Sequence, residues 1–282
     1  MLSFFKTETL QSKDKDSTMT TSNGTVLITG ASSGIGAVYA DRFAARGHDL
    51  ILVARNTQKL NAVTDRLAGR YGVKVRTIIA DLTDVAQREQ VEATLKTDDT
   101  ITHLVNNAGF GNAAPLASAS IDDMQGLIDI NVTALMRLTY AAVPGFVARG
   151  KGTIINISSI VAIAPELLNG VYGGAKAFVL SFSHSLRKEL KDTGVHVQVV
   201  MPGATATEFW DVAGLPASNL PSEWVMSTED LVDSALVGLD RAEFATIPSL
   251  MDAAEYDAWE AARQVMLPHL SSAVQAERYR SK

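Results

Sequence analysis

The chain has 282 residues, 46% hydrophobic and 20% charged, with a formal charge of −6. This is globular composition rather than disorder, and the acidic balance excludes a general nucleic-acid binder, which would show a basic stripe. Cysteine is absent, which excludes disulfides, thiol catalysis and thiolate metal sites; no pair among His48, His103, His184, His196 and His269 has zinc-ligand spacing, so no metal is expected.

Residues 1–23 have a short apolar start followed by a polar stretch. They lack the long apolar h-region of a signal peptide, and no apolar run approaches the roughly 20 residues of a membrane span. The expectation is a disordered extension at 1–23, with Met19 as an alternative start. One domain over 24–282, with a cytoplasmic location and no membrane span, completes it.

From Thr25 onward, short apolar runs alternate with longer helical patterns. The runs are TVLITG, DLILVA, VKVRTIIA, ITHLVN, GTIINIS and VHVQVVM, with FATI (Phe244–Ile247) as a final short strand. Each is β-branched without clean alternation, which predicts strands covered on both faces. Helical period falls over 36–46, 57–71, 85–96, 121–148 and 171–191, and 252–280 reads as largely helical. Strand and helix in alternation predict a parallel sheet with right-handed crossovers and helices on both faces, a doubly wound α/β fold of about seven strands. The ligand of such a sheet lies beyond the carboxyl ends of its strands.

The first strand runs into TGASSGIGA, with Gly30, Gly34 and Gly36 just before a helix. Gly30 permits a tight turn, and Gly34 and Gly36 let the backbone and the positive helix end approach a pyrophosphate. The second strand ends in Ala54-Arg55. A carboxylate there would serve NAD, whereas an arginine accommodates the 2′-phosphate of NADP. NADP(H) is therefore preferred, with NAD(H) possible.

Five motifs then fall in order: TGASSGIG at 29–36, NNAG at 106–109, NISS at 156–159, YGGAK at 172–176 and MPG at 201–203. Together they resemble the short-chain dehydrogenase/reductase family in its ordinary single-domain, Rossmann-like form. The resemblance covers about Thr25 to Phe209. It implies that Thr29 to Gly36, with Ser32, Ser33 and Ile35, hold the pyrophosphate. Asp81 and Leu82 then stand beside the adenine, Asn107, Ala108 and Gly109 near the adenosine ribose, and Pro202, Gly203 and Thr205 near the nicotinamide. Asn131 matches the helix asparagine that holds a water. Ser159, thirteen positions before Tyr172, is preferred over Ser158.

The chemistry has a physical reading beside the resemblance. A phenol with an ordinary pKa of about 10 is a poor base and slow acid at neutral pH. Lys176, four residues along a helix from Tyr172, lies on the same face, and its ammonium is expected to lower that pKa. Tyr172 is then the general acid or base, Ser159 stabilises the substrate oxygen, and Lys176 and Asn131 complete a proton relay. Tyr172 and Lys176 count among the cofactor contacts too. His184 is expected to pack rather than catalyse. A non-catalytic NADP-sensing regulator on the same fold is the alternative reading.

Ile160, Ile163, Leu167, Leu168, Phe209, Trp210 and Trp224 are expected to frame a small neutral or apolar carbonyl or alcohol substrate, since no Arg/Lys cluster is present to hold an acidic one. The helices over 121–148 and 171–191 are apolar on more than one face, which predicts a homodimer or homotetramer. Gly173 and Gly174, between Tyr172 and Lys176, are expected to let this helix approach a neighbour or a second subunit closely.

Overall fold

The computed structural model describes residues 23–215 and 217–280. The expected extension at 1–23 lies outside the described residues except for Asn23, as does Met19. Seven strands form one parallel sheet in the order β3-β2-β1-β4-β5-β6-β7. They are β1 (Thr25–Thr29), β2 (Asp49–Ala54), β3 (Val75–Ile79), β4 (Ile101–Asn106), β5 (Gly152–Ile157), β6 (Val195–Val200) and β7 (Ala245–Thr246). The order reverses between β1 and β4, so the switch point lies at the ends of those two strands.

The sheet carries helices on both faces. One face packs α1 (Gly34–Ala45), α2 (Thr57–Tyr71) and α8 (Thr228–Asp240) against Val26, Ile28, Leu50, Leu52, Val105 and Ile155. The other packs α3 (Val85–Thr97), α5 (Leu135–Ala148) and α6 (Gly170–Glu189) against Leu27, Ile51, Leu104, Ile154 and Val197. Both faces of the central strands are apolar, which removes the polar alternation from their sequences. β3 departs from this expectation. It is an edge strand, and Arg76, Thr77 and Ile79 are exposed.

Helix starts follow local capping chemistry. Asn56 accepts from the Lys59 N–H at 2.9 Å at the start of α2, which ends at Gly72 in the left-handed region. Asp84 caps α3, Asn169 caps α6 and Ser227 caps α8 in the same way. The expected elements omit α8, although Ser227 and the apolar spacing of Leu231, Val232, Ala235 and Leu236 mark it.

The expected helix over 121–148 is continuous but not uniform. It comprises α4 (Ile121–Ile128), a π-helical turn (Asp129–Ala134) and α5. By length and composition Ile121–Ala148 could cross a membrane, counter to the expectation from apolar runs alone. In this fold it is a core element, with Leu127, Ala134, Leu138, Ala142 and Phe146 buried. The expected helix over 252–280 is shorter. After α7 (Phe209–Val212) and α8, the last helix is α9 (Ala253–Met266), and Pro268 then permits only a 3₁₀ turn.

Candidate active site at the switch point

Thr29, at the end of β1, is the hub of the switch point. Its hydroxyl accepts from the N–H groups of Asn107 and Ala108, each at 3.0 Å. The Asn107 amide donates back to the carbonyls of Thr29 (2.9 Å) and Gly30 (3.2 Å). The Asn107 side chain thus ties the glycine loop to β4. Gly30 (φ 66°) and Gly34 (φ 53°) occupy the left-handed region, where a Cβ is strained. A Cβ on Gly36 would overlap the Gly30 carbonyl oxygen and the Asn107 amide.

The start of α1 differs from the capped helices. Ser33 makes no side-chain cap hydrogen bond, so the first-turn N–H groups face outward at a positive helix end. Left-handed glycines before an uncapped helix fit a pyrophosphate. Arg55, after β2, has a largely exposed side chain and lies 3.6 Å from Asp81. Burial pushes the Asp81 carboxyl up, but hydrogen bonds from Thr83 and the Arg55 guanidinium outweigh it and hold it below its ordinary value. Leu82 is buried, and its carbonyl accepts from Arg88 at 3.1 Å.

Across the cleft stand Ser159, after β5, and Tyr172 and Lys176, on α6. All three are buried. Ser159 Oγ donates to the Pro202 carbonyl at 3.4 Å and accepts from the Val161 N–H at 3.3 Å, and it lies close enough to the Tyr172 phenol to bear on its pKa. Ser158 turns away and donates to the Lys176 carbonyl at 2.8 Å. Lys176 Nζ donates to the Ile157 carbonyl at 3.0 Å and lies 5.6 Å from the centre of the Tyr172 ring. Asn131 sits in the π turn, the kind of irregularity that re-aims side chains at functional sites. Its Nδ2 donates to the carbonyls of Phe110 (2.9 Å) and Leu127 (3.0 Å). Its Oδ1 is buried without a protein donor and points at Gly109, where a Cβ would collide with it.

The expected pKa of Tyr172 is overturned for the protein by itself. Burial raises the phenol above its ordinary value, and the nearby Ser159 hydroxyl opposes this only in part. Burial also lowers Lys176, to about 8. Desolvation of two neighbouring groups in one pocket outweighs their attraction.

Beyond β6, Pro202 is buried and Gly203 half-buried, while the buried Thr205 donates to the Gly203 carbonyl at 3.1 Å. The following segment folds back over the site. Glu208 accepts from Lys59 at 2.7 and 2.8 Å. Trp210, expected to line the substrate space, is buried instead, and its indole N–H donates to the Thr205 carbonyl at 2.8 Å. Trp224 and Leu167 are exposed, and Phe209 packs on Tyr172. His184 packs on Phe244, with ring centres 4.6 Å apart. The two glycines separate: Gly173 lies against Pro165, whereas Gly174 is exposed with open space beyond it. Only Gly173 therefore meets the close-approach expectation within one chain. Lys59 carried no sequence signal, because its place at the site depends on how this segment folds back.

A doubly wound parallel sheet with a glycine cradle at its switch point and a Ser–Tyr–Lys cluster opposite defines a nucleotide-dependent oxidoreductase class. A family model described as short chain dehydrogenase matches residues 24–214, and the chain belongs to the short-chain dehydrogenase/reductase family. Its fold is similar to a short-chain dehydrogenase from Sphingobium yanoikuyae in complex with NADPH. That match has a TM-score of 0.89 and 48% identity, covering 91% of this chain and 100% of the other. It is also similar to the bulky-bulky ketone specific alcohol dehydrogenase from Comamonas testosteroni, with TM-score 0.85 and 42% identity over 92% of this chain and 99% of the other. In sequence it is 39% identical over 189 residues to serine 3-dehydrogenase of Agrobacterium fabrum, covering 66% of this chain and 74% of the relative. The chain is thus an oxidoreductase that uses a nicotinamide cofactor.

Proposed function

We propose that the protein is an NADP(H)-preferring carbonyl reductase and alcohol dehydrogenase acting on small neutral or apolar ketones, aldehydes or secondary alcohols. The observation that carries this reading is the convergence of Ser159, Tyr172, Lys176 and Asn131 on one cleft at the switch point. The dinucleotide, when bound, supplies the hydride that adds to the carbonyl carbon. Gly30, Ser32, Ser33, Gly34, Ile35 and Gly36 cradle its pyrophosphate, Arg55 meets the 2′-phosphate, and Asp81 and Leu82 flank the adenine. Asn107, Ala108 and Gly109 line the ribose side, and Pro202, Gly203 and Thr205 the carboxamide side. Tyr172 Oη gives its proton to the carbonyl oxygen in reduction and takes it back in oxidation. Ser159 donates to that oxygen as charge develops. Lys176 orients the ribose, and the buried Oδ1 of Asn131 accepts a hydrogen bond from the water through which the proton relay runs.

The NADPH bound in the Sphingobium structure and Arg55 in place of a carboxylate support the cofactor preference. The apolar Phe209, Leu168 and Val171 around Tyr172 support an apolar substrate, and the bulky-bulky ketone named for the Comamonas neighbour supports a ketone. A cytoplasmic homodimer or homotetramer through α5 and α6 completes the proposal; Tyr140 remains exposed there, stacked on Phe182. The test is a panel of carbonyl compounds with NADPH and with NADH. Tyr172→Phe is expected to lower kcat by about 10²–10⁴-fold, and Arg55→Ala to weaken NADPH while sparing NADH. No turnover of any carbonyl, or full activity in Tyr172→Phe, overturns the proposal. A monomeric mass by light scattering overturns the assembly.

A further inference from the structure

Phe209 opens α7, and its ring centre lies 5.6 Å from that of the catalytic Tyr172, tilted by 50°. The far edge of the ring rests on Gly111, where a Cβ would overlap it. Gly111 is buried, so the ring fills the space that a side chain there would occupy. Two further contacts hold the ring in place. Trp210 packs against it edge-on with centres 5.4 Å apart and is anchored on the Thr205 carbonyl. The Ala113 N–H donates to the Ala213 carbonyl at 3.0 Å, which ties the Gly111 loop to the segment carrying Phe209. One wall over the phenol is therefore a single ring whose distance from Tyr172 is set by the missing side chain at position 111.

We propose that the Phe209–Gly111 contact selects substrates by size, limiting the carbonyl substituent that lies on the side of the segment after β6. A ketone must bring its oxygen to Tyr172 and Ser159, so a substituent on that side meets the Phe209 ring. Truncating the ring opens the wall to larger ketones. Adding a methyl at Gly111 drives the ring toward Tyr172 and narrows it. The inference rests on the carbonyl-reducing function proposed above and adds to it the residues that set the size of substrate.

The test measures NADPH-dependent kcat/KM for a series of phenyl alkyl ketones, from methyl to butyl, in the wild type, Phe209→Leu, Phe209→Ala, Gly111→Ala and the Phe209→Ala/Gly111→Ala double variant. NADPH affinity by fluorescence serves as the control for folding. In Phe209→Ala the butyl-to-methyl ratio of kcat/KM is expected to rise at least about tenfold, because each methylene in an apolar pocket is worth roughly 10–200-fold; Phe209→Leu falls between. Gly111→Ala lowers the ratio, and that loss disappears in the double variant, the mark of two residues acting through one contact. A ratio within about twofold of the wild type in both Phe209 variants, or a Gly111→Ala effect of equal size in both backgrounds, overturns the inference. Wild-type protein inactive on every ketone instead overturns the carbonyl-reducing function.

Discussion

Lys176→Met should stabilise the cofactor-free protein at neutral pH while removing its activity. Burial lowers the Lys176 pKa from 10.5 to about 8, which corresponds to about 3 kcal/mol by which the fold disfavours the ammonium. Methionine removes that penalty but strands the Ile157 carbonyl, which now accepts from Lys176 Nζ at 3.0 Å. An unmet buried acceptor costs about 1–3 kcal/mol. The net expectation at pH 7 is a variant more stable by about 1 kcal/mol, a rise of about 2–4 °C in Tm for a domain of this size. The sign reverses with pH. Between about 8 and 10.5 the unfolded chain retains the lysine proton and the folded protein releases it, so the wild type gains stability relative to the variant as pH rises. That gain is lost again as pH falls through about 8. Urea unfolding followed by tryptophan fluorescence at pH 7, 8, 9 and 10 reads the difference, and the m-value checks that both proteins unfold alike. A variant less stable than wild type by the same amount at every pH would show that burial does not dominate at Lys176.

Three further outcomes follow from the site. Ser159→Ala should lower kcat by about 10²–10³-fold. Ser158→Ala, which loses the bond to the Lys176 carbonyl, should instead cost about 1–3 kcal/mol of stability with a far smaller change in kcat; equal kcat losses would remove the distinction between the two serines. Gly36→Ala places a Cβ against the Gly30 carbonyl and the Asn107 amide. Overpacking of this kind costs about 1–3 kcal/mol, and fluorescence titration should find NADPH binding weakened about tenfold, whereas unchanged affinity would count against the cradle. Gly174→Ala should raise stability by up to about 1 kcal/mol, since it removes a helix glycine at an open position. Gly173→Ala should lose that gain against Pro165, 3.2 Å from the added Cβ. If Gly174→Ala loses assembly by light scattering, a second copy covers that face.

Much of the fold can be read along the chain because its causes are local. Apolar β-branched runs mark the central strands, the side-chain caps Asn56 and Asp84 mark the starts of α2 and α3, and Gly72 marks the end of α2. Spacing likewise places Tyr172 and Lys176 one turn apart on α6. β3 could not be assigned to an edge from its sequence, since strand order is a relation between distant segments. The π turn at Asn131 was hidden as well, because an inserted residue leaves the apolar pattern of 121–148 nearly intact.

The sequence by itself determined which residues carry the chemistry and in what order they come. Tertiary structure decided what surrounds them. It buried Tyr172 and Lys176 together, so that desolvation moves both pKa values away from the direction or size that a solvated pair would show. It sent Trp210 inward and laid Phe209 across Gly111 above the phenol. Glu208 reaches Lys59, far away in the chain, in the same fold-back. Burial, like the dielectric it sets, is a property of all the atoms packed around a group, and most of those atoms belong to segments distant in the chain.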